Sequence, residues 1–129
     1  MAIPLRKPNE IDKLRIANIA VAKTLNYLKT TVKAGMTLKQ VDEMGEKFLR
    51  DLGARPSFKG LYGFPAAICT SLNEVIIHGI PTDVVLKEGD ILGIDIGSEI
   101  DGWYGDSAIT MPIGKISKED EALIACAKD

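Results

Sequence analysis

The chain has 129 residues, 46% hydrophobic and 26% charged, enough for one compact domain with the balance of a folded globular protein. A net charge of -2 and a pI of about 5.4 exclude a broad basic surface for nucleic acid or anionic lipid, leaving small molecules and peptides as expected partners. Cys69 and Cys126 lack CxxC spacing, which excludes a zinc knuckle or disulfide framework and fits a reducing cytoplasm, and no apolar run is long enough for export or membrane anchoring.

A long amphipathic helix is predicted after Pro8, with Ile11, Leu14, Ile16, Ile19, Val21, Leu25 and Leu28 at roughly helical spacing and an end near residues 33–35. Thr37 and Gln40 form a candidate capping box for a second helix closed by Gly53, with Val41, Met44, Phe48 and Leu49 as its buried stripe. Residues 56–81 are rich in glycine, proline and aromatics and read as loop, with a short strand around residues 67–70. Two β-rich runs, 91–100 and 103–113, flank Asp101-Gly102, the dipeptide favoured in two-residue type I′ hairpins. Ser117 and Asp120 open a last helix with Leu123, Ile124 and Ala127 on one side. It reaches residue 129 without a stop signal, so a chain cut within a longer domain is expected.

With Asp101 and Gly102 as the loop, Ile100 faces Trp103, Gly97 faces Asp106 and Asp95 faces Ala108. Asp95 and Asp106 then share one sheet face as diagonal neighbours, about 7–8 Å apart between backbones, and their carboxylates can converge. Two partly desolvated like charges repel, and one pKa rises unless something neutralises them. A pair of divalent cations about 3.5–4 Å apart fits between such carboxylates, with a bridging water made nucleophilic by both. Gly97 and Gly105 are expected to leave room near the backbone for ions or substrate. The alternative is a solvated sheet face on which two aspartates are unremarkable. Leu92, Ile94 and Ile96 fill the opposite face, and Ile91 and Gly93 beside Asp95 do not form a polar row, which favours the metal reading modestly.

His78, the single histidine, sits between an apolar run and a turn. Its imidazole can donate a hydrogen bond to a polarised carbonyl, bind a metal, or be satisfied by a backbone group. Tyr62, Phe64, Pro65 and Cys69 serve equally for a small apolar pocket or for ordinary packing.

Taken together and in order, Gly63-Phe64-Pro65, Asn73-Glu74-Val75, His78-Gly79-Ile80-Pro81, Gly89-Asp90-Ile91, Ile94-Asp95-Ile96 and Asp101-Gly102-Trp103-Tyr104-Gly105-Asp106 strongly resemble type I methionine aminopeptidases. The resemblance covers essentially the whole chain. It implies an α+β fold: half of a pita-bread (creatinase/aminopeptidase-like) domain, an antiparallel sheet with helices packed on one face. Residues 1–129 would form the N-terminal half of the catalytic domain. The implied activity is removal of the initiator methionine from nascent proteins in the cytoplasm by two-metal hydrolysis.

By the same resemblance, Asp95 and Asp106 are metal ligands, Asp106 bridging two ions and Asp95 binding one through both oxygens. His78 is catalytic and substrate-binding: it contacts the scissile peptide group and helps stabilise the transition state. Phe64 and Cys69 match positions lining the pocket for the methionine side chain. The implied cofactor is two divalent metal ions, with cobalt, manganese, iron and zinc all compatible with carboxylate and imidazole donors. The implied partners are N-terminal Met peptides of nascent proteins and the ribosome, with no nucleic acid bound directly and no membrane. The remaining ligands in the family, a histidine and two glutamates, one of them the general base, come from the other half. Hydrolysis by these 129 residues alone is therefore not expected, and uncovered sheet and helix surfaces favour self-association. Two rivals stand beside this reading: a non-catalytic peptide- or protein-binding pita-bread module, and a related aminopeptidase or prolidase.

Overall fold

The structure, a computed structural model, describes residues 2–128. Helix α1 (Pro8–Thr31) begins with a proline whose missing N–H would have had no partner in a first turn. Helix α2 (Leu38–Asp51) opens with the expected box: the Gln40 N–H donates to Thr37 Oγ1 at 3.1 Å, and the Thr37 N–H donates to Gln40 Oε1 at 2.8 Å. Gly53, at φ 80°, closes it. Helix α3 (Lys118–Lys128) is capped by Ser117, whose Oγ accepts the Asp120 N–H at 3.1 Å. Its end at residue 129 lies outside the described residues.

Strand β3 (Ile91–Ile100) is the axis of a four-stranded antiparallel sheet. Strand β4 (Trp103–Pro112) pairs along its full length, while β2 (Ile68–Leu72) and the two-residue β1 (Arg55–Pro56) pair with it at different heights. Since β4 occupies one edge throughout, β1 and β2 share the other. The turn residues Asp101 and Gly102 have φ of 51° and 79°, the two positive values a type I′ turn needs. The register follows: Ile100 pairs with Trp103, Gly97 with Asp106 and Asp95 with Ala108. Strand β2 runs to Leu72, past the expected stretch, and β1 and a short 3-10 turn at Leu61–Gly63 add structure to the predicted loop.

Alternation sends Ile68, Leu92, Ile94, Ile96 and Met111 to one face, where they are buried with Val21, Leu25 and Leu28 of α1 and Val41 and Leu49 of α2. Helices α1 and α2 therefore cover one face, as expected, whereas α3 buries no side chain and lies along the cleft that Asp95 lines. In α2, Met44 and Phe48 are only half-buried; Phe48 stacks on Tyr27 with ring centres 4.3 Å apart, and Gly45 is buried facing Leu28 and Ile68. Among the described residues, no helix is long and apolar enough to cross a membrane.

Helix α1 buries Val21, Leu25 and Leu28 as expected, but its first half turns a different stripe inward than its isoleucines predict. Ala17, Ala20, Val21, Thr24, Leu25 and Leu28 are buried, whereas Ile11, Ile16 and Ile19 are exposed. The cause is the close approach of helix and sheet. A Cβ at Gly105 would lie 2.6 Å from the Ala17 carbonyl carbon and the Asn18 nitrogen, and the buried Ser98 Oγ donates to the Ala17 carbonyl at 2.8 Å. The helix backbone rests directly on the hairpin, and only small side chains fit beneath it.

Gly105→Ala should therefore destabilise the chain by about 2–3 kcal/mol, because the new methyl meets backbone that has little room to yield. Urea unfolding would show a lower midpoint at unchanged slope; an unchanged midpoint would mean that α1 can lift without cost.

Candidate metal centre

The alternation that buries Ile94 and Ile96 sends Asp95 to the opposite face, half-buried, with Cys69 of β2 and Ala108 of β4 as its cross-strand partners. Asp106 projects from that same face one step nearer the turn, and is exposed. The two carboxyls are close enough to share a hydrogen bond when one is protonated. Asp95 Oδ1 is shut off from solvent and has no hydrogen-bond partner. Burial is the main reason that the Asp95 carboxyl is raised to about 6; repulsion by Asp106 and the shared hydrogen bond add to it, and His78 opposes.

A carboxylate oxygen buried without a donor, beside a second carboxylate, is an expensive arrangement that a cation relieves. Oxygen donors of like charge with unused lone pairs suit a hard divalent ion. These two residues fit a metal, and among the described residues no group of three or more histidine, cysteine or acidic side chains is placed to hold one.

His78 reaches the same face from a loop. The neighbouring Gly79 lies so close to β2 that a Cβ there would sit 2.1 Å from the Thr70 carbonyl oxygen. The Thr70 N–H donates to the Gly79 carbonyl at 2.8 Å, and the Gly79 N–H to Ser71 Oγ at 3.2 Å. With Gly79 pinned, His78 adopts φ 57°, a left-handed conformation uncommon outside glycine. Its imidazole and Asp95 line one cleft of ≈ 570 Å³, walled by Ile76, Ile77 and Ile124.

Cys69 is buried across from Asp95. Burial first, then the charges of Asp95, Asp106 and Asp42, push its thiol up to about 11. Phe64 is half-buried at the end of the 3-10 turn, its carbonyl accepting the Gly60 N–H at 2.8 Å; Tyr62 and Pro65 are exposed. Neither Phe64 nor Cys69 lines the cleft shared by His78 and Asp95.

The two hairpin glycines do not leave room for ions or substrate. Gly97 does lie on the aspartates' face, but Ser57 and Phe58 cover it, and a Cβ there would meet Ser57 Oγ at 2.1 Å and Phe58 Cε1 at 2.5 Å. Gly105 points to the other face, against α1. Both serve packing.

Two supporting side chains escaped the sequence reading. Asp42 on α2, its carboxyl raised by burial, accepts the Ala67 and Ile68 N–H groups at 3.0 and 2.9 Å and so fixes the start of β2. Its signal was its position, one turn after Leu38 on the inward side of the helix, where a free acid is out of place. Asn73, at φ 51°, donates to Asp90 Oδ1 and accepts the Ile91 N–H, both at 3.0 Å, closing the other end of β2.

Residues 12–129 match metallopeptidase family M24. The chain belongs to this family. Membership in a metallopeptidase family implies divalent metal cofactors. The methionine aminopeptidase of Helicobacter pylori is 56% identical over 129 residues, taking in 100% of this chain and 51% of that protein. Methionine aminopeptidase 1 of Bacillus subtilis is 44% identical over 124 residues, 96% of this chain and 50% of that one. The crystal structure of methionine aminopeptidase from Rickettsia prowazekii matches with a TM-score of 0.96 at 34% identity, covering 99% of this chain and 52% of that chain. An X-Pro aminopeptidase from Thermotoga maritima shares the fold, with a TM-score of 0.77 at 23% identity over 92% of this chain and 32% of its own. This M24 chain thus spans about half the length of the curated relatives it matches, and it has about half of the pita-bread fold.

The raised Asp95 carboxyl gives a pH signature in metal-free buffer. Between pH 4 and 6, roughly, the folded chain binds more protons than the unfolded one, so stability falls as pH rises through that window. Asp95→Asn removes this loss. Thermal melts in chelator should place the variant about 2–4 °C above wild type at pH 7, under about 1 kcal/mol after solvent screening, with no difference near pH 4. A variant melting below wild type at pH 7 would refute the cost of charging Asp95 in this half-buried place beside Asp106.

Proposed function

We propose that the protein carrying this chain releases N-terminal methionine from peptides and nascent proteins by metal-dependent hydrolysis. The observation that carries this reading is the convergence of Asp95 and Asp106 on the face opposite the core, with one Asp95 oxygen left without a partner. The support for methionine as the residue removed is similarity to relatives of that name, 56% and 44% identical. The support for a further catalytic half is that those relatives are about twice as long.

Asp95 and Asp106 are the residues of this chain that would hold divalent ions, the exposed Asp106 and the more enclosed Asp95 offering carboxylate oxygens on one face. When bound, such ions polarise the scissile carbonyl and make water acidic enough to serve as the nucleophile. Manganese, cobalt, iron and zinc all suit the donors. His78, held on the cleft wall by the pinned Gly79, donates a hydrogen bond to the peptide group being cleaved and stabilises charge developing there. The family resemblance, and not the cleft lining, supports Phe64 and the protonated thiol of Cys69 as apolar contacts for the methionine side chain. In the isolated chain, the open sheet face bordered by exposed Ile76, Ile77 and Leu123 favours self-association.

The test is release of methionine from a Met-Ala-Ser peptide by the full-length protein with added cobalt or manganese. Asp106→Asn should abolish release and metal retention together, because an amide cannot bridge two cations as a carboxylate does. His78→Ala should keep its metal and lose about 10²- to 10³-fold in rate, the worth of one transition-state hydrogen bond. Equal metal loss in the two variants, by elemental analysis, would make His78 a ligand; release of other N-terminal residues in preference to methionine would overturn the substrate assignment. The 129-residue chain alone, with two protein ligands where catalytic metals commonly take three, should show no turnover. A rate of about 1 s⁻¹ or more from it would mean a complete site within these residues.

A further inference from the structure

The outer edge of the hairpin carries a contact that the metal site itself does not use. In a hairpin closed by two residues, the pair flanking the loop is hydrogen-bonded, and bonded pairs then alternate with unbonded ones. Ile100–Trp103 and Ser98–Gly105 are bonded pairs, and Gly97–Asp106 falls between bonded pairs. The Asp106 N–H therefore points away from β3, to the open side of β4.

Asn18 of α1 meets it there: the Asp106 N–H donates to Asn18 Oδ1 at 3.2 Å. The asparagine amide is itself oriented, because its Nδ2 donates to the Leu14 carbonyl at 2.9 Å, which leaves Oδ1 for the strand. Beside this bond the helix backbone is already anchored, by Ser98 on the Ala17 carbonyl and by Gly105 lying against Ala17 and Asn18. The helix thus needs no help from Asn18 to stay in place. What the exposed Asn18 adds is a hold on one edge peptide, which would otherwise exchange its partner with water.

We propose that Asn18 is a positioning residue for the metal centre: through the Asp106 amide it fixes the strand segment from which that carboxylate projects toward Asp95. This rests on reading Asp106 as a metal ligand. The geometry is specific, since Asn18 reaches the backbone of the ligand residue itself, across 88 positions of sequence.

Two measurements on the isotope-labelled full-length protein separate the possibilities. Amide hydrogen exchange without metal reads the bond, and broadening of the Asp95 and Asp106 signals by Mn²⁺ reads the site. Asn18→Ala should speed exchange at Asp106 about fivefold while the Ile96 and Ser98 amides stay within about twofold, and should raise the Mn²⁺ concentration for half-broadening about threefold. Asn18→Asp keeps an acceptor oxygen but loses the bond to the Leu14 carbonyl, and should restore slow exchange at Asp106 in part. The proposal is overturned if Asn18→Ala leaves the Mn²⁺ response unchanged, with or without faster exchange. It is also overturned if Ile96 and Ser98 accelerate in parallel, which would make Asn18 a prop of the whole fold. If Mn²⁺ fails to broaden Asp95 and Asp106 in wild type while Asn18→Ala still speeds Asp106 exchange, the metal reading itself falls, and the positioning role with it.

Discussion

Because the Asp101-Gly102 loop holds both residues at positive φ and has none to spare, the β3–β4 ladder has no freedom of register. A slip of one residue would carry Asp106 through the sheet to the face on which α1 lies flush, where a carboxylate has no room and no partner. The same slip would bring a side chain to the place of Gly105, beneath the Ala17–Asn18 backbone. The seating of the helix and the projection of the acid are thus one constraint expressed on two faces of a single strand.

The two faces divide the work. The helix-covered side, from Val21 and Leu28 through Ile94 and Ile96, supplies the apolar burial that stabilises the fold. The other side tolerates a like-charge pair because it is only partly shielded: Asp95 is half-buried and Asp106 stands in solvent. Non-glycine residues with positive φ occur at Tyr62, Asn73, His78 and Asp101, all in connections between strands or leading into them. Strain of this kind persists only where surrounding contacts enforce it. At Asn73 and His78 those contacts are identifiable: the Asp90 and Ile91 bonds in one case, the pinned Gly79 in the other.

The hairpin and its register were legible in the sequence because a period of two and a two-residue turn leave a single solution, and Asp95 and Asp106 followed by counting. The orientation of α1 was legible only in part. Val21, Leu25 and Leu28 are buried as expected, whereas nearer the N-terminus the isoleucines carry the hydropathy signal and the face that meets the sheet is made of Ala17 and Ala20, which are small because the backbones touch. Glycine misleads in a related way: at positions 97 and 105 the sequence announces a close approach and is silent about what approaches, a loop in one case and a helix in the other. Asp42, Asn73 and Asn18 act through hydrogen bonds to residues 17 to 88 positions away, and no local pattern encodes such a partner. For His78, Phe64 and Cys69 the residues by themselves left the roles open, and only the family resemblance suggested any.

The two thiols of this chain differ in a way that makes one of them a gauge. Cys126 is exposed on α3, while Cys69 is buried opposite Asp95 and remains protonated at neutral pH. Since the thiolate is the reactive form, an alkylating reagent should take Cys126 promptly and Cys69 slowly, because the Cys69 thiol is both covered and held protonated. The delay between the two labels reports how well the cover and the charge around Cys69 are kept, without any probe added to the chain.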